Sequence, residues 1–442
     1  MDAREVSLLA LNDCQRQGGW SDAILKKRLS SAGLDSRDGA LATQLCFGVL
    51  QNRLLLDFYL SHFSNLPLKR MEGRVVEALR LGAYQMLFLD KIPHSAAVNA
   101  SVELTRKHCK NPRAAGMVNG ILRNLERNLG GLPTVPQTDP VSYLSTLYSH
   151  PEWLVRELLT ALGSEETARL LAANNSQAPI TAMANTIKIT VEGLAEALAE
   201  EGVTAQPHPW LADCLILSKT GNLERLAAFR DGLFYVQDPA SKLAALALDP
   251  KPDMQVLDCC AAPGGKSFAC AIRMEGRGEV ISCDLHPHKK KLIQAGADRL
   301  GLENITPMTA DGKAFRPEWE SAFDRVLVDA PCSGLGVIRK KPDIRYKDPG
   351  PLADLPQVQR AILDNAARYV KPGGVLVYST CTLLRRENEE VALGFLKDHP
   401  DFQAEGFRLP EYAGDGRTGI LTLWPHRQGT DGFFIAKLRR GG

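Results

Sequence analysis

The sequence lacks any apolar run that approaches the ~18 residues of a membrane-spanning helix. Its ten cysteines include no C-x-x-C pair, so neither a zinc knuckle nor a disulfide framework is indicated. Low-complexity and collagen-like repeats are absent as well. The first residues, MDAREVSLLALND, are too polar and acidic for a signal peptide. We therefore expect reduced thiols, a cytoplasmic location, no metal site and no contact with a membrane.

What is present is an ordinary globular composition with an uneven charge. The 442 residues are 44% hydrophobic and 24% charged, enough for two or three domains. Residues 1–130 hold 18 Lys and Arg against 12 Asp and Glu, whereas the rest holds 35 against 39. A basic amino-terminal module suggests a polyanion such as nucleic acid as partner. A solvated helical surface explains the same charges, and composition alone leaves both readings open.

The periodicity of apolar residues predicts three domains. Residues 1–135 show helical spacing almost throughout and end in a Gly- and Pro-rich linker. Residues 141–235 mix helical and strand-like runs, which predicts a small α/β linker domain. Residues 236–442 alternate strands and helices, which predicts a doubly wound parallel sheet with ligands beyond the carboxyl ends of its strands. Its predicted strands are Gln255–Asp258, Glu279–Asp284, Ile305–Met308, Phe323–Asp329 and Gly374–Ser379, with a last strand from Gly432.

A glycine-rich turn and three aspartates follow these strands. The turn contains Gly264-Gly-Lys-Ser267, but a phosphate loop needs glycine at position 260, where this chain has Cys260. The turn also lacks the G-x-G-x-x-G pattern of a dinucleotide site. Asp284 suits two ribose hydroxyls, Asp311 an adenine amine, and Asp329 ends a further strand. A packing turn and capping aspartates are the alternative; together these residues favour an adenosine cofactor without polyphosphate, for which S-adenosylmethionine is the candidate.

Two cysteines each come shortly after a predicted strand, Cys332 in Asp-Ala-Pro-Cys and Cys381 in Ser-Thr-Cys. Methylation of cytosine at carbon 5 needs a thiolate that adds to carbon 6 and turns the ring into an enamine. It also needs an acid near N3, for which Asp329 is a candidate, and a second thiol is a reasonable assistant in release. Lys266 is a candidate to lower a cysteine pKa or to hold the base. Buried cysteines that act only as small hydrophobes are the alternative, and chemistry leaves the roles of the two thiols open.

A basic segment, residues 339–347, follows Cys332 and contains five Lys or Arg and one aromatic residue. Its position beside a catalytic edge predicts contacts to RNA phosphates and stacking on a base. A solvated loop is the alternative.

These motifs resemble the RsmB/Sun/Fmu branch of the NOL/NOP/Sun family of RNA cytosine-5 methyltransferases. The resemblance rests on Cys260–Lys266, Asp329–Ile338, Pro342–Ile344, Tyr378–Cys381 with Glu387-Asn388, and Gly429–Phe434. The amino-terminal half resembles the NusB-like RNA-binding domain of that branch, at Asp38–Leu45, Leu81–Leu87 and Val118–Arg123. It implies a multidomain fold: an all-α NusB-like domain, a small α/β linker domain and a Rossmann-like class I methyltransferase.

The resemblance also implies roles. Cys381 is the nucleophile and Cys332 assists release, while Asp329 and Lys266 complete the predicted catalytic group. S-adenosylmethionine is bound by Cys260, Ala261, Ala262, Pro263, Gly264, Gly265, Lys266, Asp284, Asp311 and Asp329. The implied substrate is small-subunit (16S) ribosomal RNA, and we expect a monomer with no obligate protein partner. A tRNA cytosine-C5 methyltransferase is the main alternative, and a non-catalytic RNA-binding factor is a second one.

Overall fold

The computed structural model of the protein describes residues 1–17 and 21–442. Its contacts group the chain into two compact units. Unit 1 comprises residues 1–176 together with 338–347, and unit 2 comprises residues 177–337 together with 348–442. Within the described ranges, no helix is both long and apolar enough to cross a bilayer.

Unit 1 is built from helices, as the periodicity predicted. Its centre is a helix whose residues 75–86 are all buried, including the small residue Gly82, against which Leu122 packs so closely that a Cβ would lie 2.5 Å from its side chain. The helices are α1 (Ala3–Gln17), α2 (Ser21–Ala32), α3 (Ser36–Gln51), α4 (Arg53–His62), α5 (Gly73–Phe88), α6 (His94–His108), α7 (Ala114–Arg127), α8 (Pro140–Tyr148), α9 (Glu152–Leu162) and α10 (Ser164–Asn174).

The compact units cut the chain differently from the three predicted domains. Helix α8 packs against α4, and α9 and α10 pack against α8, so residues up to 176 group with unit 1. The predicted 141–235 segment is therefore shared between the two units. A break in sequence composition marks a linker but does not show which neighbour the following helices pack against.

Unit 2 begins with a small antiparallel sheet in the order β2-β3-β1-β4. Its strands are β1 (Ile180–Ala184), β2 (Thr204–Pro207), β3 (Cys214–Ser218) and β4 (Phe234–Val236), with helices α11 (Val191–Glu200) and α12 (Ala227–Arg230). One face of this sheet buries a cluster of leucines and alanines with Phe234. The strand-like runs at 180–184 and 214–218 and the helix near 191–201 are thus confirmed.

A larger mixed sheet follows, in the order β10-β12-β9-β8-β5-β6-β7, with β11 paired to β12. Its strands are β5 (Gln255–Asp258), β6 (Glu279–Asp284), β7 (Ile305–Thr309), β8 (Phe323–Asp329), β9 (Val370–Thr380), β10 (Phe402–Ala404), β11 (Ile420–Leu423) and β12 (Phe433–Arg440). The helices between them are α13 (Pro239–Leu248), α14 (Gly265–Arg273), α15 (Pro287–Leu300), α16 (Leu355–Ala367), α17 (Glu389–Asp398) and α18 (Pro425–Gln428).

The predicted parallel sheet is confirmed for β5 to β9, which are connected through helices or long crossovers. The predicted last strand is present as β12, but it runs antiparallel to β9, β10 and β11, so the sheet is parallel only in part. Strands β11 and β12 are joined by a short connection, which an antiparallel pair allows and a parallel pair does not.

The carboxyl ends of the parallel strands form one edge, which we call the strand-end edge. Asp258, Asp284 and Asp329 are the last residues of β5, β6 and β8, and Thr380 is the last residue of β9. The loops that leave this edge are tied to neighbouring strands: Ala261 N donates to Cys283 O at 2.7 Å, and Ala330 N donates to Ser379 O at 2.9 Å. The sheet therefore holds the loops that carry the predicted site residues.

Candidate active site

The two predicted thiols lie in contact. Cys332 follows β8 by three residues and Cys381 follows β9 directly, and these two strands are parallel neighbours. Their sulfur atoms are 3.3 Å apart, so one thiol donates a hydrogen bond to the other. Both side chains are only partly buried. The strand-end edge therefore presents a pair of hydrogen-bonded sulfurs that a substrate can reach.

The neighbours of the two thiols separate their acidities. The hydrogen bond from Cys332 lowers the pKa of Cys381, and the nearby Lys266 lowers it further, although burial and the charge of Asp329 act in the opposite direction. The same hydrogen bond raises the pKa of Cys332 well above its usual value, and burial and the charge on Cys381 add to this effect. The surroundings of the two sulfurs therefore favour Cys381 over Cys332 as the thiolate.

Lys266 and Asp329 form a close ion pair beside the thiols. Lys266 Nζ lies 2.6 Å from Asp329 Oδ2 and 5.2 Å from the centre of the Phe433 ring, and Ser379 Oγ donates to Asp329 Oδ1 at 2.9 Å. Burial by itself lowers the pKa of Lys266, but the charge of Asp329 raises that pKa above its usual value. Lys266 therefore keeps its proton, and its positive charge lies against the carboxylate of Asp329.

The glycine-rich turn leaves β5 and enters α14. Gly264 has φ +116°, a conformation that side chains rarely adopt, and a Cβ there would lie 2.4 Å from the Phe268 ring. The first amides of α14 have no partners within the helix and therefore suit a carboxylate. Burial raises the pKa of the Cys260 thiol well above its usual value, so this cysteine stays protonated. A turn that only glycine can form, next to a helix amino terminus, fits the methionine part of S-adenosylmethionine.

The other predicted cofactor ligands lie at the ends of neighbouring strands. Asp284 is buried, and its carboxylate accepts from His286 N at 3.1 Å and from Lys289 Nζ at 3.4 Å. Asp311 is exposed, two residues after β7, and accepts from Lys313 N at 3.0 Å in its own turn. Because β7, β6, β5 and β8 are adjacent, these acids and the turn lie along the same edge of the sheet. These contacts of Asp284 and Asp311 lie within their own turns or reach the next helix, whereas Lys266 and Asp329 form an ion pair whose charges act on the two thiols.

A buried polar group supports the turn from below. Ser267 Oγ donates to Asp258 Oδ2 at 2.8 Å, and Ser282 Oγ donates to Ser267 Oγ at 2.8 Å. Burial raises the pKa of Asp258 to about 7, although the hydrogen bond from Ser267 acts against this. Sequence reasoning treated Asp258 only as the end of a strand and assigned no role to either serine.

The predicted RNA contact of the basic segment is wrong for Arg345. This residue is fully buried within unit 1, where its guanidinium donates to Asn175 Oδ1 at 2.7 Å and to main-chain carbonyls. The hydroxyl of Tyr346 donates to Leu50 O at 2.8 Å in the same unit. Both side chains therefore contribute to the packing of unit 1. The partners of Arg345 are mainly carbonyl groups at the ends of helices, which the sequence does not reveal.

The chain is similar to known ribosomal RNA methyltransferases over nearly its whole length. A family model described as 16S rRNA methyltransferase RsmB/F matches residues 245–439. A probable ribosomal RNA small subunit methyltransferase B of Bacillus subtilis is 42% identical, with 99% of each chain covered. The chain belongs to the RsmB/F methyltransferase family. The ribosomal RNA small subunit methyltransferase B of Vibrio cholerae is 34% identical, covering 91% of this chain and 90% of that protein.

Further matches bear on the remaining parts of this RsmB/F family member. The NusB family model matches residues 1–127, which confirms the expected NusB-like domain. A ferredoxin-like domain model of RsmF/B-like methyltransferases matches residues 150–224, where sequence reasoning predicted only a small α/β domain. The crystal structure of PH0851 superposes with a TM-score of 0.82 at 26% identity, covering 100% of this chain and 99% of that one. The expected Rossmann-like methyltransferase fold is confirmed.

Sequence reasoning missed several side chains of this RsmB/F site. Ser379 and Phe433, which contact the Asp329–Lys266 pair, lie inside quoted motifs but received no role. Asp431 is buried near Cys381 and raises its pKa, and it too lay in a quoted motif. The signal for all three was their place at the end of a strand or beside the last strand. A sequence cannot show that β12 lies next to β9 and brings Phe433 to the site.

Proposed function

We propose that the protein methylates carbon 5 of a cytosine in small-subunit ribosomal RNA, with S-adenosylmethionine as methyl donor. The observation that carries this proposal is the pair of sulfurs 3.3 Å apart with opposite shifts of their pKa values. A thiol of lowered pKa beside a thiol of raised pKa suits the covalent activation of a cytosine ring. The RsmB/F family model and the two ribosomal RNA methyltransferases reported above support the same reaction and substrate.

The first step belongs to Cys381. Its thiolate adds to carbon 6 of the cytosine, and the electron pair of the C5–C6 double bond moves through the ring to give an enamine with a nucleophilic C5. Lys266, which carries the proton of its pair with Asp329, stabilises the charge that develops on the ring or passes its proton through Asp329. S-adenosylmethionine supplies an electrophilic methyl group for C5 when it is bound.

The second step belongs to Cys332. Once the Cys381 sulfur is bonded to carbon, it carries no charge and is only a weak hydrogen-bond acceptor. The two effects of Cys381 that raise the pKa of Cys332 are then small. Cys332 then loses its proton to water more readily and accepts the C5 proton of the methylated ring. The electrons of the C5–H bond re-form the C5–C6 double bond, and the Cys381 thiolate leaves.

The donor site consists of the glycine-rich turn and the strand-end acids. We assign the methionine carboxylate to the amino terminus of α14, the ribose hydroxyls to Asp284 and the adenine amine to Asp311. Asp329 lies between this site and the thiols because it ends β8, the strand between β5 and β9. Because the proposed substrate is ribosomal RNA, we propose a cytoplasmic location for the enzyme, and the NusB-like domain is our candidate for RNA contact.

Labelled methyl transfer to purified RNA tests the reaction. The wild-type protein should label small-subunit ribosomal RNA at C5 of cytosine and should leave tRNA unlabelled. Cys381→Ala should give no label and no covalent complex, because no thiolate attacks C6. Cys332→Ala should accumulate a protein–RNA complex that survives denaturing electrophoresis, because release is blocked.

The alternative outcomes are equally clear. Label in tRNA alone would show that the substrate is tRNA and not ribosomal RNA. Absence of label in every RNA would refute the proposed methyltransferase activity. A covalent complex with Cys381→Ala and none with Cys332→Ala would reverse the roles of the two cysteines.

A further inference from the structure

Two consecutive buried residues, Glu387 and Asn388, are hydrogen-bonded to the chain before and after each of the two thiols. They lie between β9 and α17, and 0% and 1% of their surfaces are exposed. Neither side chain reaches the edge where a substrate would bind. Their hydrogen bonds nevertheless end on residues directly before and after Cys332 and Cys381.

Glu387 holds the loop of Cys332. Its Oε2 accepts from Ser333 N at 2.9 Å and from Gln359 Nε2 at 2.9 Å, and the same Gln359 nitrogen donates to Pro331 O at 3.0 Å. The carboxylate is thereby linked to the residue before Cys332 and to the residue after it. A carboxylate binds such donors about twice as strongly as a neutral acceptor. The loop that carries Cys332 is therefore fixed at both sides of the thiol.

Asn388 holds the chain around Cys381 in the same manner. Thr380 Oγ1 donates to Asn388 Oδ1 at 2.5 Å, and Asn388 Nδ2 donates to Thr382 O at 3.0 Å. The amide uses one acceptor and one donor, so neither a carboxylate nor an apolar side chain can replace both bonds. The residues before and after Cys381 are thus tied to a single side chain.

The two loops are also joined to each other. Ser333 Oγ and Thr382 Oγ1, from the residues after the two thiols, are 2.6 Å apart. Tyr378 OH donates to the main-chain oxygen of Glu387 at 2.5 Å, which anchors the pair on β9. The separation of the two sulfurs is therefore set by a network behind them, and a shift of about 1 Å in such a contact is enough to cost catalysis ~10²-fold.

We propose that Glu387 and Asn388 are positioning residues with separate tasks, Glu387 for Cys332 and Asn388 for Cys381. The proposal rests on the function proposed above, because the two tasks belong to the release step and to the attack step. Loss of Glu387 should then reproduce the loss of Cys332, and loss of Asn388 should reproduce the loss of Cys381. A side chain that only stabilises the fold would impair both steps alike.

The trapped RNA complex separates these tasks. Glu387→Ala should turn over about 10²-fold more slowly than wild type and accumulate the covalent complex. Asn388→Ala should be similarly slow but form little complex, with an unchanged KM for RNA. Glu387→Gln keeps one acceptor oxygen for Ser333 and Gln359 and should recover most of the turnover. Glu390→Ala removes an exposed carboxylate three residues away and should behave as wild type.

A second measurement needs no RNA. The rate of Cys381 alkylation by iodoacetamide against pH reports the pKa of this thiol, which the hydrogen bond from Cys332 lowers. Glu387→Ala should shift that profile to higher pH, and Glu390→Ala should not. Equal amounts of trapped complex in Glu387→Ala and Asn388→Ala, or an unshifted profile in Glu387→Ala, would overturn the proposal. If the wild-type protein methylates no RNA, the proposed function fails, and the alkylation profile still decides whether Glu387 positions Cys332.

Discussion

At the scale of single residues, the site uses position to give identical groups different chemistry. Cys381 and Cys332 are both thiols at the ends of parallel strands, yet one has a lowered and the other a raised pKa. The difference arises from their mutual hydrogen bond, from Lys266, and from the charges around them. Sequence motifs predicted which residues meet at this edge. Chemistry alone left open which thiol attacks, because acidity depends on distances of a few ångströms, and only the family resemblance assigned the attack to Cys381.

The position of Asp258 likewise sets its acidity, and this makes the free energy of unfolding depend on pH. Its pKa is about 7 in the folded protein, above the ordinary value of 3.8, because it is buried. Between these two pH values the folded state binds more protons than the unfolded state. The contribution of Asp258 to stability is therefore fully present below pH 3.8 and is lost as the pH rises through about 7. From pH 5 to pH 7 the wild-type protein should lose about 2 kcal/mol relative to Asp258→Asn, as measured by urea unfolding.

A matched variant checks the cause. Ser267→Ala removes the hydrogen bond that lowers the pKa of Asp258, so the loss of stability should extend to higher pH than in the wild type. An unfolding free energy whose difference between wild type and Asp258→Asn stays constant with pH would show that Asp258 does not titrate in this range.

At the scale of elements, three loops meet at a pair of glycines. Gly336 N donates to Cys381 O at 2.9 Å, and Gly432 N donates to Gly336 O at 2.8 Å. These bonds join the loop after β8, the loop after β9 and the approach to β12. A Cβ on Gly336 would lie 1.9 Å from Gly432 O and 2.8 Å from Cys381 O, closer than real contacts permit.

Gly336→Ala should therefore displace the Cys381 loop. We expect methyl transfer to fall by about 10²-fold, since misplacement of the order of 1 Å has that effect, with a stability loss of ~1–3 kcal/mol. Gly394→Ala, in α17, is the control, because its Cβ would meet only Arg360 Nη1 at an ordinary 3.4 Å. That variant should keep full activity and gain up to about 1 kcal/mol of stability. Full activity in Gly336→Ala would show that the loops adjust without moving Cys381.

The elements themselves were largely readable from sequence. Strands β5, β6 and β8 begin and end where short apolar runs placed them, because each is buried within a parallel sheet. The direction of β12 was not readable, since it depends on its pairing with β9 and β11. The need for glycine at 336 escaped too, because it arises from an approach to Gly432, far away in sequence.

At the scale of the whole molecule, one segment groups with a distant part of the chain. Residues 338–347 belong to unit 1, although the residues on both sides of them belong to unit 2. Its anchor is Arg345, which is fully buried and has no carboxylate partner among the described residues. Burial lowers its pKa to about 10. A run of basic residues usually indicates a solvated or RNA-facing loop, so only the structure could reveal this packing.

Arg345→Met should destabilise unit 1 by about 3 kcal/mol. The guanidinium donates to Gln51 O at 3.2 Å, Ser149 O at 3.2 Å and Asn175 Oδ1 at 2.7 Å, and methionine cannot replace any of these hydrogen bonds. Thermal unfolding of the full chain should show the loss as a lower midpoint. Arg37→Met replaces an exposed arginine of α3 in the same unit and should leave the midpoint unchanged. If Arg345→Met unfolds at the wild-type temperature while RNA binding weakens, Arg345 faces the RNA, as the sequence first suggested.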